Sequence, residues 1–172
     1  RGVNIVPVMQ GASNILIDGA PDLPKYACSY IIPDGLNASI QILKSSYTDY
    51  NFDIAPSKGN LTRNISPSKV SYSFGKQYGE DAFFPSVIYD AQTPHIVRDF
   101  NGQALWIYPM QYNPVTKVLR VYDSLELDIQ FQSSIEYPSS MDSQFEMIYE
   151  DLFINYDPSQ KSSLDTEDGS ML

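Results

Sequence analysis

The chain has 172 residues and a mass of 19.4 kDa, which is room for one compact domain and a tail. Hydrophobic residues at 42% and aromatics at 13% supply a core, while 21 Asp and Glu against 11 Lys and Arg give a formal charge of -10, the wrong sign for neutralising phosphate, so nucleic acid is excluded as an expected partner. No apolar run approaches the roughly 18 residues that cross a bilayer, and no basic-then-apolar pattern marks a signal peptide. With one cysteine, Cys28, and one histidine, His95, neither an internal disulfide nor a Cys/His zinc set is available.

Period-two alternation, broken by Pro, Gly, Asn or Asp about every eight to twelve residues, predicts an all-β antiparallel sandwich of jelly-roll-like type. Strands are expected near Val3–Met9, Asn14–Ile17, Tyr26–Ile32, Ala38–Leu43, Ile96–Phe100, Ala104–Met110 and Lys117–Phe131. The clearest hairpin spans Ala104 to Phe131, with Asn113-Pro114 presetting its turn. In the return strand Val118, Arg120 and Tyr122 face one way and Leu119 and Val121 the other, so bulky groups lie on both faces.

Between Ala55 and Pro94 the pattern changes to turn chemistry interleaved with Tyr72, Phe74, Tyr78, Phe83, Phe84 and Tyr89. A loop of this length is often functional; its rings either pin it to the sheets or form a contact surface. One short C-terminal helix is expected from Ser143, where Glu146 completes a Ser-x-x-Glu capping box and Phe145, Ile148, Tyr149, Leu152 and Phe153 make one apolar stripe. That stripe packs on its own domain or docks on a second one. After Asn155 the polar, aperiodic composition reads as an exposed linker. The resulting division is a sandwich over 1–142, a helix over 143–156 and a linker over 157–172.

Little in the chain carries chemistry. Cys28 lies in a strand-like run, unlike the open electropositive setting of a reactive thiolate, and His95 enters a strand after Pro94. Glu80-Asp81, Glu150-Asp151 and Glu167-Asp168 are adjacent pairs whose side chains diverge, so they are weak glycosidase candidates. Asp18–Asp22 and Asp165–Asp168 lack the ligand order of a calcium loop, and no phosphate loop, Gly-x-Ser-x-Gly elbow or His-Glu-x-x-His occurs. Asn37, Asn60 and Asn64 match the loose glycosylation sequon. Neither a catalytic residue nor a bound metal or cofactor is expected.

The block Ala55-Pro-Ser-Lys-Gly-Asn-Leu-Thr-Arg-Asn64, followed by Tyr72-Ser-Phe-Gly75, Asp81-Ala-Phe-Phe-Pro85, Val97-Arg-Asp-Phe-Asn-Gly-Gln103 and Tyr108 to Tyr122, resembles the propeptide of gingipain-type, family C25 cysteine peptidases. Phe145–Tyr156 resembles the segment joining such a propeptide to its catalytic domain, and Glu167–Leu172 the opening of that domain. The resemblance implies a prodomain of a secreted or cell-surface bacterial peptidase. It would lie across the active-site face, in cis before processing and non-covalently after, keep the zymogen latent and assist its folding.

On that footing the loop Ser86–His95 is the expected cleft contact, through Ser86, Val87, Ile88 and Tyr89. It lacks a basic residue, a departure from Arg- or Lys-specific relatives; the cleft then has another specificity, or a second segment, Ser73–Asp81 with Lys76, enters instead. Lys161-Ser162 and Arg63-Asn64 are the expected processing bonds. Two other classes compete: a stand-alone sandwich that binds glycan or cell-surface ligands, and a small carboxylate hydrolase.

Overall fold

The computed structural model describes residues 4–138 and 141–160, and in them the chain is all-β with one short helix. The strands are β1 (Ser13–Asn14), β2 (Pro24–Ile32), β3 (Ser39–Asn51), β4 (Tyr89–Ala91), β5 (His95–Val97), β6 (Phe100–Ile107), β7 (Met110–Asn113) and β8 (Val118–Gln130), followed by helix α1 (Ser143–Leu152). One sheet runs β1-β2-β6-β4, with β5 also paired to β6, and a second runs β3-β8-β7. The chain is an all-β sandwich whose described residues cluster into two units, 4–27 with 41–90 and 106–128, and 28–40 with 91–105 and 129–160.

Where strands differ from expectation, the backbone supplies the reason. Of the expected Val3–Met9, the described residues form only a bridge, Ile5 to Ile54, because Pro7 has no N–H to continue a ladder, and Val8 is 82% exposed. Strand β3 runs on to Asn51, although from Gln41 onward every residue is exposed, so no apolar alternation announces it. The run Ile96–Phe100 folds back on itself: Val97 pairs with Phe100 across a turn in which Arg98 has φ 50°. Pro109 divides Ala104–Met110, leaving β6 and β7 in different sheets. The expected Asn113-Pro114 turn is present; Asn113 faces Val118, and its Oδ1 accepts from the N–H groups of Val115 and Thr116 at 3.0 and 3.2 Å.

In the first unit the core consists of Ile15, Leu23, Ile54, Tyr108, Met110, Tyr112 and Leu119. Tyr78 from the long loop packs against it and donates its hydroxyl to the Ile54 carbonyl at 2.9 Å.

In the second unit Ile31, Phe100, Tyr149 and Phe153 form the core, with Phe100 edge-on to Tyr137, Tyr149, Phe153 and Tyr156 at centroid distances of 5.1 to 6.3 Å. Gly102 admits the Phe153 ring, which would lie 2.8 Å from a Cβ there. The helix begins one residue earlier than expected: Asp142 is the cap, its Oδ1 accepting from Gln144 N–H at 3.1 Å, where a carboxylate also suits the positive end of the helix. Its buried stripe narrows to Phe145, Tyr149 and Phe153; Ile148 and Leu152 are 49% and 37% exposed. Asn155 exchanges two hydrogen bonds with Ile31, at 2.7 and 2.9 Å, and Asp157 N–H donates to the Tyr137 hydroxyl at 2.8 Å. The chain is therefore still bonded to the fold at Asp157, beyond the point where its composition turns polar.

Candidate functional site

Strands β7 and β8 form the base on which the segment Phe83–Val87 rests. Gln111 faces Arg120 across the ladder, so both side chains emerge on one face. Arg120 stacks its guanidinium on the rings of Phe83 and Tyr47 at 4.5 and 3.8 Å and grips Asp49 with two hydrogen bonds at 2.9 and 3.0 Å. That grip holds the Asp49 carboxyl below its ordinary value. Phe84 and Tyr112 exchange backbone hydrogen bonds at 2.9 and 2.8 Å, and the Phe84-Pro85 peptide is cis. The Pro85 carbonyl then accepts from Gln111 Nε2 at 2.7 Å, while Gln111 Oε1 accepts from the Tyr122 hydroxyl at 2.8 Å.

Ser86 and Val87 project from this base, and Val87 is 48% exposed. The chain is secured again where the Ile88 carbonyl accepts from Tyr108 N–H at 2.8 Å, and from Tyr89 it runs as β4. The four residues expected to act together thus divide into an exposed pair and a half-buried pair, Ile88 and Tyr89. Gln92 N–H donates to the Ala104 carbonyl at 2.8 Å, and β5 starts at His95, which confines the free-running part of Ser86–His95 to short stretches.

Lys76 comes to the same place. It opens a 3-10 turn, Lys76–Gly79, held by Gly75 N–H donating to the Gly19 carbonyl at 2.8 Å and by the anchored Tyr78, whose hydroxyl burial pushes far above its ordinary value. Exposed Lys76 lines a pocket of about 290 Å³ together with Phe83, Phe84, Pro85, Ser86 and Val87. The two segments expected as alternatives therefore share one surface.

Arg63 lies in an exposed turn closed by Ile65 N–H donating to the Thr62 carbonyl at 2.9 Å, and it is not among the residues lining that pocket. Lys161 lies outside the described residues. The Cys28 thiol has the Leu105 carbonyl as its partner at 3.9 Å, and burial pushes it up, away from the thiolate form. His95 is exposed and pairs with Gly102. Asp81 accepts from Asn113 Nδ2 at 2.8 Å and Asp22 from Asn14 Nδ2 at 2.7 Å; among the described residues no three Asp, Glu, His or Cys gather as a metal site. Of the loop aromatics, Tyr72 and Phe74 remain 47% and 57% exposed, yet Lys58 sits over Tyr72 at 4.4 Å and Phe74 packs on Tyr78 at 4.7 Å.

The supports Gln111, Arg120 and Tyr122 carry no motif that marks them as site residues in the sequence. The available signal was a glutamine inside the apolar run Met110–Tyr112, where an amide is retained only if it is bonded.

Residues 1–164 match the family model Propeptide_C25. Gingipain R1 of Porphyromonas gingivalis is 33% identical over 178 aligned positions, which take in all of this chain and 18% of that protein. Gingipain R2 of the same organism is 33% identical over 180 positions, again all of this chain and 24% of that protein. The chain therefore spans about a quarter or less of the length of these relatives. Among solved structures, the complex of the pro- and mature domains of Porphyromonas gingivalis RgpB superposes with a TM-score of 0.80 at 34% identity, covering 91% of this chain and 83% of that one. A structure of gingipain K from the same organism, concerned with its zymogenic latency, shares the fold at a TM-score of 0.60 and 21% identity, over 72% of each chain. Together these matches place the chain in the C25 propeptide family, as the non-catalytic propeptide of a gingipain-type cysteine peptidase.

Proposed function

We propose that this chain is the N-terminal prodomain that keeps a C25-type cysteine peptidase domain latent by covering its active-site cleft, and that it assists the folding of that domain. The observation that carries the reading is the exposed Ser86–Val87 tip, bonded to β7 through Pro85 on one side and to Tyr108 through Ile88 on the other. The backbone of Ser86–Tyr89 lies along the cleft in place of substrate, with Lys76 beside it. Because the prodomain begins covalently joined to its partner, a modest docking surface suffices at the resulting effective concentration.

In this scheme residues 1–142 form the body, 143–156 the closing segment made of α1 and the turn that follows it, and 157–172 the passage into the peptidase, which is exported from or displayed on a bacterial cell. Release follows cleavage at Lys161-Ser162 and Arg63-Asn64, the latter in an exposed turn that a protease can enter.

Inhibition of the cognate peptidase domain by the purified chain tests the reading. Replacing Ser86 and Val87 by glycine removes about half a valine of buried surface, about 1 kcal/mol, and frees the backbone. Ki is expected to rise tenfold or more, about 1.4 kcal/mol. Lys76→Ala raises it separately if Lys76 also enters. Wild-type Ki in both variants eliminates this surface as the cleft contact. Glycan-array binding without inhibition would favour the stand-alone module built on Tyr72 and Phe74.

A further inference from the structure

The Pro85 carbonyl is the point at which the projecting tip leaves the ladder, and it is held by a side chain rather than by another backbone group. Gln111 is 6% exposed and uses both ends of its amide, Nε2 on Pro85 and Oε1 on the Tyr122 hydroxyl, at 2.7 and 2.8 Å. The Pro85 carbonyl can only accept, so it takes the NH2 end of the amide, and Tyr122, by donating to Oε1, secures the other end and holds that orientation. The backbone exchange between Phe84 and Tyr112 sets the height of the segment on β7, but leaves the direction of the next peptide open.

We propose that Gln111, oriented by Tyr122, is a positioning residue for latency: its hydrogen bond to the Pro85 carbonyl aims Ser86–Val87 outward in the conformation that meets the cleft. The inference rests on the reading that this tip contacts the peptidase. Order installed before docking need not be supplied during it, so loss of the bond acts on inhibition more than on folding.

The test is a double-mutant cycle on Ki for the cognate peptidase domain, with thermal midpoints measured alongside. Gln111→Leu fills the position on β7 with an apolar side chain of similar size that offers no donor, and Tyr122→Phe removes only the hydroxyl that secures the other end of the amide. With the tip intact, Gln111→Leu is expected to raise Ki on the order of tenfold to a hundredfold, and Tyr122→Phe by a smaller factor. In a background carrying Ser86→Gly and Val87→Gly, the same substitutions should leave Ki unchanged, because there is no aimed tip left to lose. Equal increases in both backgrounds, or a drop in thermal midpoint with unaltered Ki, overturn the positioning role while the tip remains the contact. If the glycine tip inhibits as well as the wild type, the failure lies in the contact reading itself, and the positioning role falls with it. Should Gln111→Leu fail to fold, Tyr122→Phe carries the same comparison.

Discussion

Arg120→Lys keeps the charge beneath the candidate site and removes its shape. The guanidinium makes a two-pronged contact with Asp49 and lies over both Tyr47 and Phe83, with its side chain 22% exposed and that of Asp49 40%. A partly exposed ion pair contributes about 0.5–1 kcal/mol, and each cation–π stack about 0.5–1 kcal/mol, so the cluster is worth about 1.5–3 kcal/mol. An ammonium retains a single-point ion pair and at most one ring, which places the cost of Arg120→Lys at about 1–1.5 kcal/mol. With urea m-values of about 1–3 kcal/mol/M, the midpoint of unfolding should fall by about 0.3–1.5 M. In 1 M NaCl the Debye length is about 3 Å, which screens the ion pair and spares the stacks, so more than half of the difference should survive. A lysine variant as stable as the wild type refutes the argument. Complete loss of the difference in high salt also refutes it, since the charge alone would then be responsible.

Other substitutions probe the second unit and the long loop of the first. Burial pushes the hydroxyls of Tyr30 and Tyr149 up to about 12, against an ordinary value near 10, so above about pH 10 the unfolded chain ionises first. Their stabilising contribution is complete below pH 10 and is lost as pH rises to about 12; urea titrations in that window should show a slope that flattens in Tyr30→Phe and Tyr149→Phe. Phe100→Ala removes the ring on which four others converge and should cost about 3–5 kcal/mol, read by thermal unfolding and near-UV dichroism, with Phe100→Leu costing clearly less. Gly19 has φ 77°, and a Cβ there would lie 2.9 Å from the Gly75 nitrogen; Gly19→Ala should cost about 1–3 kcal/mol and open the neighbouring loop to limited proteolysis.

The elements that were legible in the sequence are those in which one face is buried. Strand β8 announces itself through Leu119 and Val121 on the core side, the β7–β8 turn through Asn113-Pro114, and α1 through Phe145, Tyr149 and Phe153. Strand β3 beyond Leu43 is exposed on both faces, so ladder bonding continues without any apolar periodicity to betray it. Pro7 and Pro109 were visible, but whether a proline ends a strand or switches it between sheets depends on partners distant in sequence. The candidate site was half legible for the same reason. A loop rich in turn residues and aromatics can be singled out locally, whereas the bond from Gln111 to Pro85 spans 26 residues and leaves no periodic trace.

The buried polar side chains explain how a chain without catalytic work comes to carry interior amides. Ser57, Gln103, Gln111 and Asn113 are each 6% exposed or less, and an unbonded amide at such depth would cost about 1–3 kcal/mol. Each is spent on a segment that the ladders do not reach. Ser57 Oγ accepts from Gly59 N–H at 3.2 Å, Gln103 Nε2 donates to the Gln92 carbonyl at 2.8 Å, Gln111 holds Pro85, and Asn113 holds both its own turn and Asp81. Interior polarity is thus placed where loops need a fixed course, and apolar surface is left to hold the sheets together. A loop ordered in this way meets a partner without the conformational entropy cost of ordering itself on contact. If the Ser86–Val87 tip docks by shape and main-chain geometry, as proposed, that saving is a principal source of the affinity available to it.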